Sequence, residues 1–444
     1  MKAEVIPFKG LRYNLDIVGD ISKVTTPPYD IISKEEQEYF YNLSPYNSIR
    51  LELPKELPGD NEEYNKYKRA GETLREWLDQ KALLREKQDC YYIYQQEFQL
   101  DNNKTYTRTG IIGLVRLEEF SKGIILPHEN TLSKPKADRL QLMRACNANF
   151  SQVFGLYDDS KQEIPTLIKD CFINHKPDIV LEKSVVGSIE RIWIVDDAAL
   201  TQKISEAFKG KKIYIADGHH RYETALAYRD ELKSKNPNHT GKELYNYVMM
   251  TLVDMKDPGL VVLPTHRMVN NIKNFDLDSL LEKFDKNFIV EEYKVENYSL
   301  TKKQQTIQEI LDKMGLHTFV LYSGERQSLY SLSLKSVDVM REYHPNRHSS
   351  YLNLDVSILH TLILDELLDI GEKELAEQKN LEYTHSITEG VDEVEKGNQQ
   401  MTFFMSPTSV RQIQDVSLAN EKMPQKSTYF YPKLITGLVF NKFC

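Results

Sequence analysis

The segment 211–234 constrains the fold of this chain more than any other part of the sequence. Residues 211–216 form a short apolar run with the composition of a β-strand, and Asp217-Gly218 interrupts it. Apolar side chains then recur over residues 222–232 with the spacing of one helical face. The sequence therefore predicts a strand, a tight turn and a helix in direct succession.

Polar side chains crowd the first turn of this predicted helix. A helix start carries unpaired N–H groups and partial positive charge, and Gly218 lets a ligand approach the backbone closely. Arg221 can bind phosphate oxygens with two donors, while His219 and His220 fan about 100° apart and have separate roles. Asp217 suits such a site if Mg²⁺ lies between its carboxylate and the phosphates of the ligand. The alternative is an Asp N-cap followed by solvated side chains.

A second candidate box follows the apolar triplet 124–126. Glu129, in the loop Pro127-His128-Glu129-Asn130-Thr131, could act as a general base for a substrate hydroxyl. Lys134, Lys136 and Arg139 follow closely and could neutralise a phosphate. The alternative is a solvated turn.

Two further boxes offer anion contacts. His266 and Arg267 follow a predicted strand, and Lys426-Ser427-Thr428 combines one cation with two hydroxyls that could hold a carboxylate or phosphate. Each has a plain alternative, an exposed pair at a strand edge for the first and a polar turn for the second.

Composition and charge exclude several classes of protein. The formal net charge of −9 opposes nucleic-acid binding by electrostatics alone, and no G-x-x-x-x-G-K-[ST] motif indicates a P-loop ATPase. No run approaches 18 apolar residues and the first ten residues lack an apolar core, so we expect no membrane segment and no signal peptide. Cys90, Cys146, Cys171 and Cys444 lack C-x-x-C spacing, which favours reduced thiols in a cytoplasmic protein.

The pattern of elements predicts an α+β protein in three parts, with boundaries at 1–110, 111–270 and 271–444. Residues 1–60 are predicted to form short strands and loops with many prolines, and the adjacent Pro27 and Pro28 of Thr25-Thr26-Pro27-Pro28-Tyr29-Asp30 exclude helix at that point. The other predictions are strands at 91–94, 109–115, 247–253, 319–322 and 401–405, helices within 61–88 and around 354–369, a polar loop at 127–139, and a Glu/Lys-rich segment at 371–397.

Three boxes occur in an order that resembles the archaeal free-serine kinases of the ParB/sulfiredoxin-like superfamily. They are residues 127–129 (P-H-E), 215–221 (I-A-D-G-H-H-R) and 426–428 (K-S-T), and segments 315–325 and 394–408 are similar as well. The whole chain also resembles a widespread prokaryotic domain-of-unknown-function family with the core A-D-G-H-H-R-Y-E-T-A. The kinases have a shorter stretch between the first two boxes, and residues 1–110 have no counterpart in them.

This resemblance implies a ParB/sulfiredoxin-like nucleotide-binding core at 111–270, a mixed α/β domain closing the site, and an N-terminal extension. The implied activity is phosphoryl transfer between a nucleotide, ATP or ADP with Mg²⁺, and free serine or O-phosphoserine, in either direction. The implied site residues are Glu129, Asp217 and His220 for catalysis, Asp217 for the metal, Gly218, His219, His220, Arg221, Lys136 and Arg139 for the nucleotide, and His128, Thr131, His266, Arg267, Lys426, Ser427 and Thr428 for the substrate.

Two other functions remain open at this stage. A ParB-like nucleotide-binding regulatory module would need a helix-turn-helix or a basic face, and neither is visible in the sequence. A metal-dependent phosphohydrolase could use His128, Glu129, Asp217, His219 and His220 as ligands. The expected partners are a small-molecule substrate, serine or O-phosphoserine, and a nucleotide, with no nucleic acid and no membrane. A homodimer is left open.

Overall fold

The computed structural model describes residues 3–100, 104–131, 133–371 and 379–443 of the chain. Cys444 and part of the Glu/Lys-rich segment at 371–397 lie outside these residues. Helices and strands are both abundant, so the fold is α+β as predicted; the ParB/sulfiredoxin-like core stays a prediction. The strands are β1 (Val5–Ile6), β2 (Leu11–Tyr13), β3 (Leu83–Arg85), β4 (Tyr91–Gln99), β5 (Thr105–Arg116), β6 (Ile125–Leu126), β7 (Ala148–Asn149), β8 (Val153–Tyr157), β9 (Ile179–Leu181), β10 (Ile189–Val195), β11 (Ile213–Asp217), β12 (Tyr247–Asp254), β13 (Val261–Leu263), β14 (His266–Val269), β15 (Phe288–Lys294), β16 (Thr318–Ser323), β17 (Ser328–Leu334), β18 (Leu381–Thr384), β19 (Met401–Met405), β20 (Tyr429–Tyr431) and β21 (Asn441–Lys442).

The helices alternate with these strands along the chain. They are α1 (Leu15–Val18), α2 (Lys34–Leu43), α3 (Ile49–Glu52), α4 (Lys66–Asp79), α5 (Ser133–Cys146), α6 (Glu163–Ile173), α7 (Ala198–Phe208), α8 (His219–Lys235), α9 (Leu277–Phe284), α10 (Leu300–Met314), α11 (Met340–Tyr343), α12 (Ser349–Leu352), α13 (Asp355–Ile358), a π-helix (Leu359–Asp365), α14 (Glu366–Leu368), α15 (Ile387–Glu395) and α16 (Val410–Leu418). The predicted strands and helices are confirmed by β4, β5, β11, β12, β16, β19, α4, α8 and the α13–α14 stretch.

Two predictions about local structure are wrong. Residues 1–60, predicted as short strands and loops, contain the ten-residue helix α2, which the capping box of Ser33 and Glu36 starts. The polar loop predicted over 127–139 ends early, because α5 already begins at Ser133. Pro135 lies in the first turn of α5, where a missing N–H breaks no helical hydrogen bond, so the proline does not terminate the helix.

The chain folds into two compact units that are interleaved along the sequence. The first unit takes residues 1–127, 131–261 and 430–444, and the second takes 128–130 and 262–429. All of residues 1–110 belong to the first unit. The division into 1–110, 111–270 and 271–444 stays a prediction.

The first unit is built on a sheet with the strand order β6-β11-β8-β12-β5-β4-β10-β9, with β1 beside β5. β11 runs parallel to β6, β12 runs parallel to β8, and the other neighbours are antiparallel. Side chains of α5 to α8 pack with one face of this sheet in a single apolar core, for example Ile204 and Tyr222 with Ile213 and Val153. This packing fixes the end of β11 and the start of α8.

Segments from both ends of the sequence contact the same sheet. Phe430 packs edge-on against Phe154 of β8 at 5.3 Å, and the backbones of Thr26 and Thr436 form an isolated β-bridge. Arg108 of β5 is fully buried and donates hydrogen bonds to the carbonyls of residues 431 and 432. The proline-rich N-terminal segment is therefore part of the first unit's structure.

The second unit has an antiparallel sheet with the order β15-β17-β16-β19-β14-β18. Its apolar core includes Ile307 of α10, Val391 of α15 and Phe404 of β19. β14 lies between β19 and β18, which places Arg267 opposite Phe403 on one side and Tyr383 on the other.

None of the described helices is both long enough and apolar enough to cross a lipid bilayer.

Candidate functional site

The turn between β11 and α8 has the geometry expected of a helix start that a ligand can approach. Gly218 has φ of 91°, and α8 begins at the next residue with no side-chain cap hydrogen bond. A Cβ on Gly218 would lie only 2.9 Å from Nε of Arg221. Glycine is thus required twice, for its backbone conformation and for the guanidinium packed over it.

Arg221 is held by protein groups on both sides. Its Nη1 donates to the carbonyl of Gln152 and its Nη2 to Oδ2 of Asp217 at 3.4 Å. Burial works to lower the pKa of Arg221, but the charge of Asp217, with smaller contributions from Asp30 and others, outweighs it and raises that pKa. Arg221 is therefore a fixed cation at the helix start, with only 12% of its side chain exposed.

Asp217 does not fit the predicted role of metal ligand. Its Oδ2 lies 3.4 Å from Nη2 of Arg221 and 3.6 Å from Nζ of Lys433, so two protein cations already neutralise it. Within the described residues, no three His, Cys, Asp or Glu side chains are grouped as metal ligands. We therefore derive no step through a protein-bound Mg²⁺.

A third acid, which the sequence analysis missed, organises the next turn of α8. Glu223 Oε2 accepts hydrogen bonds from Thr131 Oγ1 and from Lys136 Nζ, both at 2.7 Å. The half-buried His220 has a pKa lowered by burial, against the opposing charges of Glu223 and Asp30. The predicted residues Thr131, Lys136 and His220 are thus brought together around Glu223.

Arg139 is buried deeper than a phosphate contact would suggest. It donates to Asp138 and to the carbonyl of Glu52, and its guanidinium lies 4.2 Å from the ring centre of Tyr29. Burial raises the pKa of Glu52 although Arg139 and Arg221 act to lower it. Tyr29 and Asp30 belong to the proline-rich motif at 25–30, so a segment with no counterpart in the resemblance reaches this site.

Two buried polar side chains beside this group have no partner among the described residues. Both amide atoms of Gln152 and the hydroxyl of Thr224 lack hydrogen bonds. Thr224, though not Gln152, lines a cavity of about 40 Å³ together with Arg139, Arg221 and others. Buried polar atoms are normally satisfied, so this cavity is a place for water or for part of a polar ligand. We call His220, Arg221, Lys136, Glu223 and Gln152 the unit-1 cluster.

The second unit brings the first and third sequence boxes together. His128 is fully buried, and its Nε2 lies 3.0 Å from Oγ1 of Thr428, across 300 residues of sequence. The carbonyl of His128 accepts from the backbone of Met423 at 2.8 Å, and Glu129 forms a parallel β-bridge with Met423. The side chain of Glu129 keeps 27% of its surface exposed. A carboxylate accessible to a ligand is thus fixed next to the third box.

The loop that carries the third box is held in place by hydrogen bonds to its backbone carbonyls. Lys426 has φ of 57°, and its carbonyl accepts from Nη2 of Arg267 at 3.2 Å. The carbonyl of Ser427 accepts from Thr408 Oγ1 at 3.0 Å, and the Ser427 hydroxyl donates to Pro424. We call His128, Glu129, Lys426, Ser427 and Thr428 the unit-2 cluster.

The pair His266-Arg267 is buried rather than exposed at a strand edge. Nδ1 of His266 accepts from the backbone of Met405 at 3.3 Å, and burial lowers the pKa of His266 to about 3. Arg267 packs beneath Tyr383, with its guanidinium 5.1 Å from the ring centre. Neither side chain is a surface group, so any contact with substrate would be made inside the second unit.

The chain belongs to the family described as "Protein of unknown function (DUF1015)", whose model matches residues 5–357. No curated protein matches the chain. Among solved structures it is similar to free serine kinase in complex with AMP, at 12% identity over 69% of this chain and 84% of that one, with a TM-score of 0.34. A conserved hypothetical protein from Pyrococcus furiosus is 11% identical over 70% and 89%, with a TM-score of 0.33, and SbnI from Staphylococcus aureus is 8% identical over 73% and 85%, with a TM-score of 0.32. At these scores the likeness is remote.

Proposed function

We propose that this member of the family is a phosphotransferase that interconverts free L-serine and O-phosphoserine with ATP or ADP. The observation that carries the proposal is the hydrogen bond between His128 and Thr428, which assembles two of the three boxes around Glu129. The order of the boxes in the sequence supports the same reaction, since it resembles that of free-serine kinases. Neither direction of the reaction is favoured by the residues.

The unit-1 cluster supplies groups for the nucleotide phosphates. The start of α8 contributes backbone N–H groups and helix-dipole charge, and the fixed cation of Arg221 adds to that potential. His220 and Lys136, which are both partly exposed, are the side chains that we assign to meet the ligand. Arg139 and Asp217 act as positioning residues, because their polar atoms bind Glu52, Asp138, Arg221 and Lys433.

The unit-2 cluster supplies groups for the phosphoryl acceptor. In this proposal the Glu129 carboxylate takes the proton of the serine hydroxyl as the serine oxygen bonds to the terminal phosphorus of the nucleotide. The bond from that phosphorus to its bridging oxygen breaks, so ATP leaves as ADP, or ADP as AMP. Lys426 and Thr428 bind the carboxylate of serine, and His128 holds the Thr428 hydroxyl in place.

Magnesium enters this proposal only with the nucleotide. Mg²⁺ is commonly held by one or two carboxylates and by substrate phosphates, and it would neutralise phosphate charge during transfer. The described residues supply no ready group of protein ligands for it. The residues assigned above bind, orient and exchange protons without it.

Two variants test the proposal through different measurements. We expect Glu129→Gln to lose phosphate exchange between serine and nucleotide by about 100-fold or more while nucleotide affinity stays unchanged, because it removes only the base. We expect Arg221→Lys to weaken nucleotide binding about tenfold, because a point charge replaces the planar fork. Isotope exchange in both directions and calorimetric nucleotide binding, each with Mg²⁺, are the measurements.

The controls are Glu119→Gln and Arg229→Ala. The first breaks the ion pair between the exposed Glu119 and Arg229 of α8, and the second also removes the pair of Arg229 with Asp230 and its hydrogen bond to the carbonyl of Leu117. Both should retain exchange and nucleotide binding. Absence of exchange in the unaltered protein, with serine or phosphoserine and with ATP, ADP or AMP, would overturn the proposal.

A further inference from the structure

A cavity of about 330 Å³ lies wholly within the second unit. Its wall includes the π-helix, which contributes His360, Thr361 and Asp365, together with Tyr383 of β18 and the loop at 422–425. A π-helix widens the backbone and recurs at functional positions. The volume falls in the range of small-molecule sites, which marks the cavity as a binding site to be explained.

Arg267 lies immediately behind this wall as a buried cation without a carboxylate partner. Its Nε and Nη2 both lie 3.3 Å from Nε2 of His360, and its other partners are the carbonyls of Thr265 and Lys426 and the ring of Tyr383. No Asp or Glu of the described chain lies within ion-pair distance of it. A buried charge is normally paired, so this arrangement needs an explanation.

His360 connects that charge to the cavity. Since its Nε2 accepts from Arg267, the neutral ring carries its proton on Nδ1. Nδ1 makes no hydrogen bond to the described residues, and the side chain keeps partial exposure on the cavity side. Burial, then the charge of Arg267, lowers the pKa of His360 well below its usual value, so the ring stays neutral.

The other charged groups at the cavity are also mostly cationic. Arg347 and Lys422 line it, and Arg347 is paired with Glu421. His344 contacts Thr361 Oγ1 at 2.9 Å, and Asp365 is the acid on the wall. Two aromatic rings, Tyr351 and Tyr383, give the wall an apolar part.

We propose that this cavity binds a small organic acid, whose carboxylate or phosphate accepts a hydrogen bond from Nδ1–H of His360 in the field of Arg267. The aromatic rings contact the body of the ligand, and Arg347 or Lys422 lies near a second polar group. The site goes beyond the proposed phosphoryl transfer, because binding here requires neither Glu129 nor a nucleotide.

The variant His360→Gln separates the two functions of the imidazole. Its amide oxygen can still accept from Arg267, where Nε2 lies now, but it places no donor at the position of Nδ1. The matched control is His348→Asn, which removes an exposed histidine of the same unit and keeps the side-chain acceptor for the backbone of Ser350.

The probes are inorganic phosphate, L-serine and O-phosphoserine, titrated into the full chain without nucleotide and followed by calorimetry. We expect at least one probe to bind, with binding weakened about tenfold or more in His360→Gln and unchanged in His348→Asn. Binding of phosphate and O-phosphoserine assigns a phosphate site, and binding of L-serine assigns a carboxylate site.

Three results would overturn the site. They are no binding of any probe to the unaltered protein, equal affinities in the unaltered protein and His360→Gln, and equal losses in both variants. Glu129→Gln distinguishes the two proposals, because it should lose phosphate exchange while probe binding in this cavity stays unchanged. Probe binding that depends on His360 without phosphate exchange would reject the phosphotransferase and leave this cavity assigned.

Discussion

The Nε2 of His128 and the Oγ1 of Thr428 lie 3.0 Å apart although 300 residues separate them in the sequence. Both residues belong to the second unit, which takes His128 to Asn130 from a stretch of chain otherwise belonging to the first. Glu129 is therefore placed by the partly buried hydrogen bond of the neighbouring His128 on one side and by its own bridge to Met423 on the other. The first prediction concerns this contact.

Thr428→Ala should weaken the acceptor end of the proposed reaction while leaving the nucleotide end intact. Loss of the hydroxyl removes one hydrogen bond of the buried His128 and costs about 1–3 kcal/mol of unfolding free energy. We expect the KM for serine to rise about tenfold and nucleotide affinity to stay unchanged. Thr428→Ser keeps the hydroxyl and should behave as the unaltered protein. Equal KM values for the two variants would contradict the role of the bond.

Gly218→Ala should destabilise the first unit more than the same change at Gly210. Both glycines have φ of 91°, but a Cβ at Gly210 meets no atom within 4 Å, whereas one at Gly218 meets the guanidinium of Arg221. The backbone conformation alone costs about 1 kcal/mol, and displacement of Arg221 should add about 1–3 kcal/mol. Urea unfolding of both variants measures the difference. Equal losses would show that Arg221 moves aside without cost.

Glu223→Gln should lower the pKa of His220 further. Burial already lowers that pKa, and the charge of Glu223 is the largest influence that raises it. NMR titration of the His220 ring measures the shift, which we expect to be downward. Glu231→Gln, which breaks pairs with Arg144 and Lys235 farther along α8, should leave it unchanged. An upward or absent shift in Glu223→Gln would contradict the grouping around Glu223.

His266 should make the second unit more stable as pH rises from about 3 to the ordinary histidine range. Its pKa is lowered from 6.5 to about 3 in the folded state, so the unfolded chain binds the extra proton within this window. One such group contributes a slope of up to about 1.4 kcal/mol per pH unit, lost as pH falls.

Urea unfolding between pH 4 and pH 7 tests this prediction. His266→Asn keeps an acceptor for the backbone of Met405 but cannot titrate, so its stability should depend less on pH than that of the unaltered protein. His348→Asn serves again as the control, since that histidine is exposed. An unchanged pH dependence in His266→Asn would reject the assignment.

The parts of the structure that could be predicted from sequence are the local ones. β11, Gly218 and α8 follow from a short apolar run, a breaker and a helical period that lie within 25 residues. The prediction failed at α5, where Lys and Pro residues suggested a loop although Pro135 is compatible with a first helical turn. The local sequence pattern does not distinguish a proline in a loop from a proline in the first turn of a helix.

The long-range groupings could not be predicted in the same way. Tyr29 approaches Arg139 over more than 100 residues, and no periodicity or spacing indicates that contact. The motif at 25–30 was visible, but its place in the fold was not. His360 lies in an apolar helical stretch, so its polarity was the one available signal, and its pairing with Arg267 depends on the register of β14.

The interleaving of the two units has a consequence for how the protein acquires its fold during synthesis. Residues 430–443 leave the ribosome after the whole of 262–429. They supply Lys433, which pairs with Asp217, and Phe430, which packs against Phe154 of β8. The first unit begins earliest but is complete only when residues 430–443 have been made. The second unit is complete earlier, because all of its residues lie at or before position 429. We infer that truncation after residue 429 would expose the apolar sheet face around Phe154 and leave a product prone to aggregation.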